Sequence, residues 1–327
     1  MPTLSKLSFF LLAFTVVTSS AVAQRAREFQ FDYELVVQGL KPGMNVRAWI
    51  PVPQSTGHQR VTLLKKVLPA QSRLTTEQKY GNQMFYLNVE ESNGSDIPAA
   101  VSYHVSRVEV RTLDGRSSRE TLSDEQRSLF LAANRKVPTE GRQLDLLSDI
   151  EFPDDPLDTA RGLYNLVDKH VRYDKSMPGY GNGDVLWVCD SRFGNCTDFH
   201  SLFISWARSK GLPARFEIGF PLPPERGTGT IGGYHCWGMF HTEDHGWVPV
   251  DISEADKHPE LKDYYFGNLT ENRIAFTTGR DIDLVPQQAE PPLNYFVYPH
   301  VEVDGRLWPK DRIKLRFAYK DLPSSAP

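Results

Sequence analysis

Between Phe29 and Val37 the apolar side chains Phe29, Phe31, Tyr33, Leu35 and Val37 fall at every second residue, alternating with Gln30, Asp32, Glu34 and Val36. An extended strand puts residues spaced by two on one face, so the segment predicts a strand with one buried and one wetter face. Similar strands are predicted at Asn45 to Val52, Val61 to Val67, Gln83 to Val89 and Val101 to Arg111, separated by Pro, Gly and Asn turn signals. In the last of these the apolar phase passes from Val101, Tyr103 and Val105 to Val108 and Val110, which predicts a bulge near Ser106. Consecutive short strands without helical spacing between them predict an all-β, sandwich-like N-terminal domain over residues 24–113.

Past that point the period changes. Ser123 with Gln126 reads as a capping box, and Leu157, Ala160, Leu163, Tyr164, Val167 and Val171 behind Pro156 fit one helix face. A further helix begins at Cys196, with Phe199, Leu202, Phe203, Trp206 and Ala207 at helical spacing, and stops at Gly211. Ala214 to Phe220 reads as a strand. Pro221 to Gly233 then combines prolines that stiffen a stem with glycines that free a tip, and predicts a mobile lid. Tyr234 to Phe240 and Trp247 to Asp251 form a predicted hairpin, and a closing hairpin is expected from Val297 to Val303 and Ile313 to Tyr319, before a frayed Pro323 to Pro327 tail. The chain thus divides into residues 24–113, a mixed helix and strand unit over 114–290, and a C-terminal hairpin and tail over 291–327.

At 327 residues and 40% hydrophobic content the chain can bury a full core. Lys6, the apolar run Leu7 to Val17 and Ala21-Val22-Ala23 have the order of a secretory leader, so residues 1–23 are expected to be removed and the mature protein to be secreted or periplasmic. The apolar run is short for a membrane span, and no stable membrane insertion is expected after cleavage. The formal charge of −4 becomes −5 when Lys6 leaves, and no clustered basic surface speaks for nucleic acid. Three cysteines remain: Cys189, Cys196 and Cys236. If Cys196 is reactive, Cys189 and Cys236 are either bridged or two buried free thiols. Cys236 is expected to point away from His235, because neighbours on a strand alternate faces.

Cys196 is the candidate for chemistry because the first turn of a helix carries unpaired N–H groups and the positive end of the dipole, which favour a thiolate. A nucleophile also needs a base and a group to orient that base. His235 and Asp251 lie on the two arms of the predicted hairpin and fall opposite or diagonally adjacent on one face. Cys196, His235 and Asp251 together have the residue types that acyl transfer requires. His200, His241 and His245 with Asp244 lack metal-ligand spacing, and neither a metal nor a cofactor is expected.

The blocks GNCTDFHSLFISWARSKGLPARFEIGF, GGYHCWGMFH and GWVPVDISEA, in that order, resemble the transglutaminase-like superfamily in its bacterial secreted branch, across Leu157 to Arg280. The resemblance implies an α+β fold, with a papain/transglutaminase-like catalytic domain preceded by the all-β sandwich-like N-terminal domain. It implies Cys196 as nucleophile, His235 as general base and Asp251 as the orienting acid. Where related papain-type proteases carry an oxyanion-hole glutamine, this chain has Asp190. The Cys196 N–H is one expected oxyanion donor, and the Trp187 indole is a candidate for the second, core packing being its other reading. Tyr180, Tyr234 and Trp237 are candidates for substrate contact, Trp237, with Trp247, having packing beneath the triad as its other reading. The expectation is a cysteine enzyme acting on a protein or peptide through a thioester, with hydrolysis favoured. Transfer to an amine and a non-catalytic surface module of the same fold are the alternatives.

Overall fold

A computed structural model describes residues 24–114 and 120–323. The expected leader over 1–23 and most of the tail lie outside the described residues. The N-terminal strands are β1 (Ala26–Val37), β2 (Val46–Val52), β3 (Gln59–Val67), β4 (Ser72–Thr76), β5 (Gln83–Val89) and β6 (Ile97–Val108). Helices α1 (Asp124–Leu131), α2 (Pro156–His170), α3 (Val185–Ser191) and α4 (Cys196–Ser209) follow. Next come β7 (Ala214–Pro221), β8 (Thr228–Thr230), β9 (His235–Thr242), β10 (Gly246–Val250), α5 (Ile252–Lys257) and β11 (Arg273–Thr278). The chain closes with β12 (His300–Val303), β13 (Arg306–Leu307) and β14 (Ile313–Asp321).

Two five-stranded antiparallel sheets, in the orders β8-β14-β1-β6-β3 and β13-β12-β2-β5-β4, share an apolar core. The alternation along β1 is realised: Phe29, Phe31, Tyr33, Leu35 and Val37 are all buried. A four-stranded sheet, β10-β9-β7-β11, packs onto the same interior. Phe31 and Tyr33 of β1 meet Phe220 of β7 and Phe276 of β11 at ring separations of 5.2 to 6.3 Å. Apolar burial on this scale, at about 25 cal/mol per Å2, makes the seam one continuous core. The expected division at residue 113 therefore cuts the chain without cutting the core.

Several local expectations are corrected. The expected closing hairpin does not form: β12 pairs with β2, while β14 pairs with β1 in the other sheet. The C-terminal segment supplies a strand to each face of the sandwich instead of standing apart. β6 keeps its phase past Ser106, pairing with β1 as far as Val108 opposite Ala26, because Arg107 occupies the buried face that the apolar pattern assigned elsewhere. The phase changes at Glu109, and the register shift lies in β3, between Leu63 and Lys65. Nor is the segment Pro221 to Gly233 a free lid. β8 pairs with β14, the Gly227 N–H bonds Asp321 Oδ2 at 2.6 Å, and Arg27 Nη1 holds the Pro223 carbonyl at 2.6 Å. The expected capping box of Ser123 and Gln126 opens α1, and Pro156 starts α2. Among the described residues no helix is long and apolar enough to cross a membrane.

Candidate active site

The start of α4 is built by reciprocal capping. Asn195 Oδ1 accepts the Thr197 N–H at 2.9 Å, and Asp198 Oδ2 accepts the Asn195 N–H at 2.9 Å. Two donors of the first turn are thereby satisfied, which fixes the direction of the helix. Among the described residues the Cys196 N–H has no hydrogen-bond partner. Asp198, fully buried, also accepts from Gly181 N at 2.6 Å and Gly183 N at 2.9 Å. From the other side Arg280 holds the Asn182 carbonyl at 2.8 Å and the Gly183 carbonyl at 3.1 Å. The loop before α3 is thus clamped against α4. Gly183 sits at φ +55°, and a Cβ there would lie 2.3 Å from Ser201 Oγ, so the close approach requires glycine.

The second half of the site is the β9–β10 hairpin. Gly238 pairs with Val250, so Asp251, one residue past β10, is diagonal to His235 across the ladder. The expected adjacency is present: His235 Nε2 is 2.8 Å from Asp251 Oδ2. That carboxylate also caps α5, Oδ1 accepting the Glu254 N–H at 3.3 Å. With Nε2 engaged, the other ring nitrogen, Nδ1, is the one left to face Cys196, and the two groups shift one another's ionisation. Arg273 of β11 donates from Nη1 to the same Asp251 Oδ2 at 2.9 Å.

Burial and charge act on these groups in opposite directions. Burial alone would raise the Asp251 carboxyl, but the His235 and Arg273 cations hold it well below the usual carboxylate range. Burial lowers His235, yet the Asp251 charge and hydrogen bond, with further help from Cys196, raise it to about 10. Burial pushes the Cys196 thiol up, while hydrogen bonding with Cys236 and His235 and the His235 charge bring it well below an ordinary thiol. A thiolate facing an imidazolium is the resulting charge state. His200 is different. Burial pushes it down to about 4, and its Nε2 accepts the Ile252 N–H at 3.0 Å, so it is a neutral ring wedged behind the site.

The remaining expected residues separate. Tyr234 lies against the residues that flank Cys196: its hydroxyl accepts from Asn195 Nδ2 at 3.0 Å and stands 2.9 Å from Thr197 Oγ1. Tyr180 is exposed on the clamped loop. Trp237 is fully buried, donates Nε1 to Glu217 at 2.8 Å and lies under the Arg273 guanidinium, the arrangement of a packing residue beneath the site. Trp187 packs against Phe193 and Gly179, with no hydrogen-bond partner for its indole N–H among the described residues. Asp190 is a surface group paired with Arg142 at 2.7 Å. All three cysteines are free, which settles the open choice for Cys189 and Cys236 against a bridge. Among the described residues no three His, Cys, Asp or Glu side chains converge as metal ligands.

Asp198, His200, Arg273 and Arg280 were not anticipated, nor were Tyr295 and Tyr298, whose rings stand 5.5 and 5.9 Å from Tyr234. The capping box of Asn195 and Asp198 carried a readable signal, since the two are spaced by three at a helix start. The arginines and tyrosines carried none, because their partners are distant in sequence.

Residues 145–252 match the model of the transglutaminase-like superfamily. The chain carries a transglutaminase-like domain. That match takes in Cys196, His235 and Asp251 and ends before Arg273, Arg280 and the two tyrosines. An uncharacterized protein of Haemophilus influenzae is 28% identical over 323 residues, covering 85% of this chain and 86% of its own. The fold resembles the crystal structure of a candidate cysteine protease from Cytophaga hutchinsonii, at a TM-score of 0.59 and 14% identity over 93% of each chain. The likeness runs through the sandwich as well as the transglutaminase-like domain.

Proposed function

We propose that this protein is an exported cysteine enzyme of acyl transfer that hydrolyses peptide or amide bonds. The observation that carries the reading is the buried chain of Cys196, His235 and Asp251, with the thiol lowered and the imidazole raised. The Cys196 thiolate attacks the substrate carbonyl, and the unpaired Cys196 N–H receives the developing oxyanion. His235 then protonates the departing amine, and Asp251 holds the ring and balances its charge. The thioester that remains is opened by water, with His235 taking the proton. Transfer of the acyl group to an amine uses the same residues and differs in the acceptor. The apolar run and small-residue site of residues 1–23 support export.

Incubation of the mature protein with casein, with and without a primary amine, separates these outcomes by mass spectrometry. Peptide fragments from the wild type and none from Cys196→Ala support hydrolysis, whereas an added amine mass on casein glutamines assigns transfer. Neither product, together with a Cys196 that iodoacetamide leaves unlabelled at about pH 6, would falsify the enzymatic reading and leave the non-catalytic module.

A further inference from the structure

Cys236 has no part in the chemistry above, yet its thiol is packed on the turn of α4 that holds Cys196. Its sulfur stands 3.7 Å from Thr197 Oγ1 and 3.8 Å from His200 Nδ1. Those residues are one and four positions beyond Cys196, and positions spaced by four share a helix face. Cys236 thus lies on the turn that holds Cys196, and each thiol shifts the ionisation of the other. Both are free, and Cys236 is fully buried. Cys189, the third thiol, lies on α3 outside this group.

We propose that Cys236 is a resolving thiol, which captures oxidised Cys196 as a disulfide and so makes oxidation of the site reversible. The inference rests on the nucleophilic role proposed for Cys196. An exported protein has no glutathione pool around it, and a thiolate poised for attack is the form that oxidants take. The oxidant here is hydrogen peroxide. The Cys196 thiolate attacks one peroxide oxygen; an S–O bond forms, the O–O bond breaks, and hydroxide leaves and is protonated to water. Cys196 is then a sulfenic acid, oxidised by two electrons. The Cys236 sulfur attacks the Cys196 sulfur, the S–O bond breaks, and the Cys236 proton leaves with that oxygen as a second water. Two thiols and one peroxide have become one disulfide and two waters, and a dithiol reductant returns both thiols.

The surroundings favour this division of roles. Burial, reinforced by the contact with Cys196, pushes the Cys236 thiol well above an ordinary thiol. It therefore stays protonated and inert toward solvent oxidants, and reacts with the one sulfur it touches. Without it, a Cys196 sulfenic acid has no thiol neighbour among the described residues and proceeds to sulfinic acid, which dithiols do not reduce.

The test uses the reduced, full mature chain treated with hydrogen peroxide, with iodoacetamide labelling of Cys196 and peptide mass spectrometry read before and after dithiothreitol. In the wild type a linked Cys196–Cys236 peptide pair, lighter by two hydrogens, is expected, and reduction should restore about nine-tenths of the labelling. In Cys236→Ser and Cys236→Ala, Cys196 should gain two or three oxygens, with recovery below about one-tenth. The linked pair is read in the wild type, so the inference stands or falls there even if a variant fails to fold. A wild type that gains oxygens as the variants do, with no linked peptide, overturns it. Labelling of reduced Cys196 without later linkage removes this inference alone, whereas a reduced Cys196 that never labels removes the nucleophile and this inference together.

Discussion

The interior of the sandwich and the floor of the candidate site exclude water equally and hold opposite contents. Phe29, Phe31 and Val105 are as fully buried on one side as Asp198, His200 and Asp251 are on the other. Removing an apolar side chain from water is favourable in proportion to its area, so the first group stabilises the fold by being buried at all. Removing an ion from water costs several kcal/mol unless partners replace the lost hydration. Each buried charge of the site is accordingly tied to others: Asp251 to His235 and Arg273, Asp198 to three backbone N–H groups, Arg280 to two carbonyls. The sandwich is a reservoir of stability, and the site is a region where stability is given up to hold charges apart from solvent. The sandwich side holds buried charges too, and each is met by a partner: Arg107 by Gln59 Oε1 at 3.0 Å, Arg27 by Asp321 at 2.7 Å and Glu302 by His300 at 3.0 Å.

If that contrast is right, substitutions on the two sides should separate activity from stability. The largest effect is expected for Cys196→Ala: acyl-transfer activity falls by about 10⁴-fold or more, while the thermal midpoint is unchanged or rises, because a desolvated thiolate has gone. Parallel kinetics and melts decide, and a lowered midpoint would mean that the site also carries stability. Asp251→Asn is expected next, at about 10²- to 10⁴-fold in rate, since an amide cannot balance the imidazolium. Phe31→Ala should do the reverse. Loss of a ring that meets Phe220 and Phe276 costs about 3–5 kcal/mol of stability in denaturant titration, with Cys196 labelling unchanged in the folded fraction. Altered labelling there would show that the shared core reaches the nucleophile.

The smallest effects are in pH dependence. With His235 raised to about 10, hydrolysis should hold a plateau through neutral pH and decline as the ring loses its proton through that value. The same group's contribution to stability is complete below its ordinary value of 6.5 and is lost as pH rises through about 10. Asp251 contributes in the other direction: its share is present above the ordinary carboxylate value and is lost on strong acidification. Arg273→Met removes a cation that opposes the imidazolium, so the alkaline limb should move to higher pH by less than about one unit. Movement to lower pH would instead mean that Arg273 acts chiefly by holding the carboxylate in place for His235.

Local sequence carried much of this. The period-two pattern of residues 29–37, the Ser123 capping box, the helix beginning at Cys196 and the His235–Asp251 diagonal are all set by neighbours within a few residues, and each is present in the structure. What local pattern could not decide was which distant strands would meet. The pairing of β14 with β1, and of β8 with β14, depends on which edges remain open once the other strands have paired. That is why a glycine- and proline-rich segment that reads as a mobile lid is instead an edge strand. In β6 the apolar pattern misled for a related reason: Arg107 faces the interior because Gln59, from a neighbouring strand, is there to meet it.

The sequence by itself marked Cys196, His235 and Asp251 and determined the helix and hairpin that bear them, because caps, helical spacing and strand alternation act over a few bonds. Tertiary structure alone decided the rest: the Arg273 contact to Asp251, the clamp of Asp198 and Arg280 on the glycine loop, the tyrosines around Tyr234 and the Cys236 thiol on the helix turn that holds Cys196. The reason is electrostatic. A buried charge or thiol takes its ionisation from whichever groups replace its water, and those groups come from segments that become neighbours only when the core closes.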